Sequence, residues 1–296
     1  MKKENEIVPE EKKALTPTQR FGALLNVTYK KQITNFLGDD KTASRFISSI
    51  IADVQRNPKL LECTTESLIN SYMTMAQLGF MPSFVSGEAY VLPYKKNYQE
   101  GGEWKSTMQA QLQIGYQGFV TLLYNAGVDS ITSEIVRKND VFTYVNGQMT
   151  HDIDPFKSKE ERGEAIGVYV IFIYNGKGIT KFMNGKDVIA HAKKYSKSYD
   201  PKGKFSPWNP ENDDQLWMWK KTCLIQGQKL LPKSDLLNRA IDIDNRDSRI
   251  SDAKIMVENS NLKMGNFLRN NENSEEGNVI QIEEPAQDAG TDSSQA

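Results

Sequence analysis

Apolar residues return every three to four positions at Ala43, Phe46, Ile47, Ile50, Ile51 and Val54, which predicts a helix from about Lys41 that ends before Pro58. A second helix is predicted from the Thr64/Thr65 cap region to Gly79, with Leu68, Tyr72 and Met75 on its core face. Beyond it the period falls to two. In GEAYVLPY (87–94) and MQAQLQIGY (108–116) alternate residues point to opposite faces, and the polar KKNYQEGGEWKST between them carries Gly101-Gly102. That combination predicts a β-hairpin with a long polar tip.

Residues 117–127 read as a short helix closing at Gly127. A strand pair follows at about 131–145, and a stronger pair at 165–174 and 178–183 turns on Asn175-Gly176. A helix over 185–195 ends in Lys193 and Lys194. Residues 196–210, SKSYDPKGKFSPWNP, contain Pro201, Pro207, Pro210 and Gly203 and predict an irregular loop. A helix is then expected from Glu211 to Leu231, stopped by Pro232. Helices mixed with antiparallel hairpins, without regular βαβ alternation, define an α+β fold: an antiparallel sheet with a β-hairpin packed by helices in a single core domain. The expected organisation is a flexible arm over 1–20, a core over 21–240, and a polar C-terminal region over 241–296, with disorder in its last thirty residues.

The 296 residues carry a net charge of only -1, which argues against a nucleic-acid partner until the charge is divided along the chain. Residues 271–296 contain seven acids and no Lys or Arg, so the remainder carries +6; the stretch 176–239 alone carries +7. A basic body is cancelled by an acidic tail. Cys63 and Cys223 are too few for a disulfide framework, and a reducing compartment fits them. The longest apolar run, 168–174, is too short to span a bilayer, and no apolar leader is present near Met1, so a cytoplasmic protein without membrane contact is expected.

Several chemistries lack their residues. Gly185-Lys186 has no glycine five positions earlier, so no P-loop is present. His151 and His191 stand forty residues apart, each without a second histidine nearby. Asp242, Asp244 and Asp247 resemble a calcium loop only superficially, because Arg246 and Asp247 occupy the fifth and sixth loop positions. His151, Asp152 and Asp154 could hold a divalent ion for a nuclease, or simply form a turn before Pro155.

The positive signal is a run of bases interleaved with aromatics: Lys193, Lys194, Lys197, Lys202, Lys204, Lys220, Lys221, Lys229 and Lys233 with Tyr195, Tyr199, Phe205, Trp208, Trp217 and Trp219. Lysines place point charges near phosphates, and aromatic faces accept any unstacked base, a combination suited to single-stranded nucleic acid. Trp217 and Trp219 are expected in the core of their helix, while Trp208 fits either a packing anchor or a stacking residue. On the hairpin, Lys95, Lys96 and Lys105 flank the tip, and Gln109, Gln111 and Gln113 share one face, either to hydrogen-bond phosphates and sugars or as a solvated strand face.

Five blocks in order, AQLGF (76–80), GEAYVLPY (87–94), QLQIGYQGF (111–119), SPW (206–208) and KKTCLIQGQKLLPKS (220–234), resemble the RecT family of phage and prophage single-strand annealing recombinases over about residues 45–235. The resemblance implies a protein without covalent chemistry that coats single-stranded DNA, independently of ATP, and pairs it with its complement into duplex. It further implies a homo-oligomer, a ring or helical filament, with DNA in a basic groove, a partner 5′ to 3′ exonuclease and contact with the host single-strand binding protein. By position, Lys95, Lys96, Lys105, Gln111, Gln113 and Tyr116 resemble the hairpin that lines or wedges the groove. Lys193, Lys194, Lys197, Trp208, Lys220, Lys221, Lys229 and Lys233 resemble its other wall. No cofactor is implied; a divalent cation such as magnesium could tune assembly, although no ligand cluster marks a site. Two features depart from the family: the longer hairpin tip, and Ile225-Gln226-Gly227-Gln228 where relatives carry paired bases. Metal-dependent nuclease and assembly protein with a basic partner-binding surface stand as alternatives.

Overall fold

The computed structural model describes residues 14–83, 85–196, 199–200, 206–210, 213, 215–232 and 234–246. Lys197, Lys233, Asp247 and the acidic tail lie outside the described residues.

Helix α1 (Pro17–Leu24) starts inside the stretch expected to be an arm. Thr16 caps it reciprocally: Gln19 N–H donates to Thr16 Oγ1 and Thr16 N–H donates to Gln19 Oε1. A π-helical turn (Leu25–Tyr29) joins it to α2 (Lys30–Leu37), and both pack on α3 (Asp40–Arg56), whose Ala43, Phe46, Ile47, Ile50 and Val54 are buried as their spacing requires. Helix α4 (Thr65–Gln77) follows a 3-10 turn and buries Leu68, Tyr72 and Met75.

Strands β1 (Ala89–Glu100) and β2 (Glu103–Ile114) pair over their whole length, so the expected polar tip is ladder rather than loop. Gly101 and Gly102 both take positive φ, 62° and 87°, the geometry of a two-residue hairpin turn whose twist suits the strands. The polar residues of the tip obscured this because neither distal face is apolar. At the hairpin root, the outer edge of β2 is satisfied by α4: Thr64 N–H donates to Met108 O, Ala110 N–H to Ser67 Oγ, and Ser71 Oγ to Ala110 O. Pro93, opposite Ala110, therefore removes no ladder bond.

Helix α5 (Tyr116–Asn125) leaves the hairpin through a glycine-lined contact. A side chain at Gly118 would meet Glu88 O at 2.2 Å, so backbone packs directly on backbone. The segment 131–145 does not pair with itself. Strand β3 (Ser130–Arg137) joins β6 (Ala165–Tyr174) and β7 (Lys177–Asn184) in one antiparallel sheet, whereas β4 (Val141–Val145) pairs with an unforeseen β5 (Gln148–Asp152). The aromatic face of β4 docks on that sheet: Phe142 and Tyr144 lie 5.1 and 5.6 Å from Phe182. The short α6 (Lys159–Arg162) precedes β6.

Helix α7 (Gly185–Tyr195) matches its expected bounds. Helix α8 (Trp217–Gly227) begins later than expected, because Leu216 takes φ 49° and ψ 49° and breaks the turn before it. A 3-10 turn (Gln228–Leu230) and α9 (Asp235–Arg246) complete the described chain, α9 lying where a solvated charged segment was expected. Helix α8 packs on β6 and β7, and Cys223 Sγ sits 3.4 Å from Lys181 O and 3.6 Å from Val168 O. Burial pushes this thiol up to about 12, so it stays protonated and inert.

Gly227 explains why a helix tolerates glycine here. A Cβ at this position would stand 2.7 Å from Phe172 and 2.9 Å from Lys181 Cβ. Gly227→Ala gains helix propensity worth ~1 kcal/mol but forces the helix off the sheet, and a net loss of about 1–3 kcal/mol is expected. A urea midpoint equal to or above the parent's would show that the interface has room.

Candidate nucleic-acid interface

In an antiparallel ladder, directly opposed residues share a face, so the register of β1 and β2 sorts the hairpin's chemistry. One face carries Ala89, Val91, Ala110, Leu112 and Ile114, all buried at the root, and continues distally to Lys95 and Trp104. The opposite face carries Tyr90, Tyr94, Tyr98 and Lys96 from β1, with Gln109, Gln111, Gln113, Thr107 and Lys105 from β2. Lys96, Lys105, Gln111 and Gln113 thus share one face, spread along it from tip to root, while Lys95 lies on the other.

Within the tyrosine face, Gln113 Nε2 donates to Tyr94 Oη, and Gln111 Oε1 is buried without a donor among the described residues. Lys105 pairs with Glu100 at 2.8 Å in an exposed bridge that constrains it only weakly. The tip also presents Trp104, 75% exposed. The three tyrosines were missed from sequence because their i, i+4, i+8 spacing acquires meaning only once the ladder runs through the tip.

Tyr116 links this hairpin to α8: it follows β2 immediately, and its ring lies 5.1 Å from that of Trp217, tilted by 48°. Burial pushes the Tyr116 phenol above its usual range. Of the two tryptophans expected in the core, Trp219 is buried but Trp217 is 43% exposed. Lys220 is 6% exposed with its ammonium 5.2 Å from the Trp217 ring centroid, whereas Lys221 Nζ reaches Asp244 of α9 at 2.6 Å. Lys221 is accordingly a structural ion-pair partner in this conformation.

Trp208 is a packing anchor, 4% exposed; its Nε1–H donates to Ser196 Oγ, and its carbonyl accepts Trp219 Nε1–H. It ties the end of α7 to α8 rather than offering a face to a base. Nearby, exposed Lys193 and Lys194 end α7, and Lys229 donates to Gln226 Oε1 at 2.8 Å. Burial, followed by the charges of Lys229 and Lys194, holds the His191 imidazole below its ordinary value, so these two lysines converge on one spot. Tyr195 stacks edge-on against His191 at 4.7 Å, with Lys194 Nζ 5.1 Å from the Tyr195 centroid.

Two of the three residues weighed for a nuclease, His151 and Asp154, are engaged in local structure. His151 lies in β5 with Nε2 3.1 Å from Asp140 Oδ2 and Nδ1 3.3 Å from Tyr169 Oη, so both ring nitrogens are engaged. Asp154 Oδ1 accepts Phe156 N–H and forms a turn. Among the described residues no three His, Cys, Asp or Glu side chains converge as a metal site, and no helix is long and apolar enough to cross a membrane.

Compared with known proteins, the chain is 26% identical over 219 residues to Protein RecT of Escherichia coli (strain K12), covering 74% of this chain and 77% of that protein. It is 28% identical over 196 residues to the uncharacterized protein YqaK of Bacillus subtilis (strain 168), covering 64% and 63% respectively. The RecT family itself matches residues 44–258, from α3 through the hairpin and α8 to beyond α9. That match takes in most of the chain and every element that positions the hairpin and α8, and the chain belongs to the RecT family of recombinases.

Proposed function

We propose that this chain binds single-stranded DNA and anneals complementary strands without ATP and without covalent chemistry, as a ring or helical filament of identical subunits. The observation that carries the reading is the hairpin face on which Tyr90, Tyr94 and Tyr98 alternate with amides and lysines. Aromatic rings accept bases of any sequence, and amides and ammonium groups hold the backbone. Lys193 and Lys194 at the end of α7 and Lys229 after α8 add further exposed ammonium groups. Its place of action is the cytoplasm, on strands exposed by a 5′ to 3′ exonuclease and covered by the host single-strand binding protein.

The test mixes two complementary labelled oligonucleotides with stoichiometric protein and no nucleotide cofactor. Duplex should form faster than in buffer, with both strands intact. Unaccelerated pairing would overturn the reading; divalent-dependent strand loss would indicate a nuclease, and oligomers that leave single strands unbound would indicate an assembly protein.

A further inference from the structure

The stem of Lys220 is buried, and its ammonium, with no carboxylate partner among the described residues, lies 5.2 Å from the centroid of the Trp217 ring. Its neighbour Lys221 is answered by Asp244. The buried part is the apolar stem, and the cation–π contact holds the ammonium over the ring. Trp217 in turn is 43% exposed although Tyr116 packs against it.

The backbone that places this ring is itself strained. Leu216 is fully buried in the left-handed region, at φ 49°, where leucine is disfavoured. Asp213 holds it there: its carboxylate accepts Gln215 N–H at 3.0 Å and Trp217 N–H at 2.8 Å. Such strain persists where the surroundings over-determine it, and clusters at functional sites. Here it fixes the point at which Trp217 enters α8, one turn before Lys220's neighbours pack on the sheet.

We propose that Tyr116, Trp217 and Lys220 form a single-nucleotide subsite, in which an unstacked base of single-stranded DNA lies on Trp217 and the adjoining phosphodiester pairs with the Lys220 ammonium. The inference rests on the single-strand reading above and narrows it to one place. The phosphate supplies the counter-charge that no described carboxylate gives Lys220, at a position fixed by its buried stem. A base within a duplex is stacked on both sides and cannot lie on Trp217.

The test uses the full chain with a single-stranded oligothymidylate and a duplex of equal length. The single strand should quench tryptophan emission, the duplex should not, and Trp217→Phe should lose most of the quench while Trp104, Trp208 and Trp219 remain. Lys220→Met, which keeps the apolar stem, should weaken oligothymidylate binding about tenfold and reduce its log–log salt slope by about 0.7. Its urea midpoint should match the parent's, since the buried stem is kept. Parental affinity and slope in Lys220→Met, or a quench retained in Trp217→Phe, would overturn the subsite while leaving single-strand binding intact. An affinity loss that travels with a lower urea midpoint would assign Lys220 to packing instead and also overturn it. If the parent binds neither probe, the single-strand reading falls with the subsite.

Discussion

Arg162→Ala should be among the most destabilising single substitutions in this fold, lowering the unfolding free energy at pH 7 by about 3–5 kcal/mol, the cost of leaving a buried charge without its partner. The charge left behind is Asp140, whose side chain is 2% exposed. Arg162 grips it with two parallel bonds, Nε to Oδ1 and Nη2 to Oδ2, each 2.8 Å. Arg137 N–H at 2.8 Å and His151 Nε2 at 3.1 Å complete the carboxylate's partners. The cluster joins the end of β3, the β4–β5 hairpin, α6 and, through His151 and Tyr169, β6. Arg162→Lys keeps the charge but loses the fork and should fall between parent and alanine. Denaturant unfolding followed by circular dichroism measures all three, and a loss below about 1 kcal/mol for alanine would show that the network is solvated rather than sealed.

The same cluster sets an acid limit. Burial raises the Asp140 carboxyl, but the Arg162, Arg137 and His151 hydrogen bonds together outweigh it and hold the group down to about 2, against 3.8 for the free side chain. A folded-state value below the unfolded one means that the stabilisation, about 2 kcal/mol, is fully present above the unfolded value and is lost as pH falls toward 2. The difference between parent and Arg162→Ala should therefore be largest above pH 4 and shrink in stronger acid.

None of this network was visible in the chain as a sequence, for a definite reason. Asp140, His151 and Arg162 come from a turn, a strand and a helix end, and no spacing rule connects them. Helices α3, α4 and α7 were legible because each buries one face, which writes a period into the residues. Strand β5 and its pairing with β4 were not: Asn146-Gly147 has the same positive-φ pair as Asn175-Gly176, but Val141 and Val145 face solvent and the alternation around the turn is weak. Helix α9 was hidden by its charge, since Asp244 looks like a solvated acid until Lys221 is placed beside it. In the candidate site, burial divides the lysines that the sequence grouped together. Lys193, Lys194 and Lys229 stay outside, Lys221 is paired, and Trp208 is structural. The tyrosine face required the register, which the polar tip concealed.

That face should carry a large share of single-strand affinity. Tyr94→Ala combined with Tyr98→Ala is expected to weaken oligothymidylate binding by at least about 30-fold, since each base–aromatic stack is worth about 1–3 kcal/mol. Tyr90 is left in place because its ring packs against Gly87 and Gly115 at the hairpin root, where its loss would report on folding. Tyr98 is an exposed residue of the distal ladder, and the Tyr94 hydroxyl accepts from Gln113 Nε2 on this face. Tyr98→Phe should bind nearly as the parent does, because stacking uses the ring rather than the hydroxyl. The salt slope separates this effect from that of the lysines: losing rings should lower affinity at every salt concentration with the slope kept, whereas Lys96→Ala should flatten the slope by about 0.7 with a smaller loss. A double alanine variant with parental affinity would mean that DNA runs along the other face, past Lys95 and Trp104, and a flattened slope would mean that the tyrosines act by positioning Lys96 rather than by stacking.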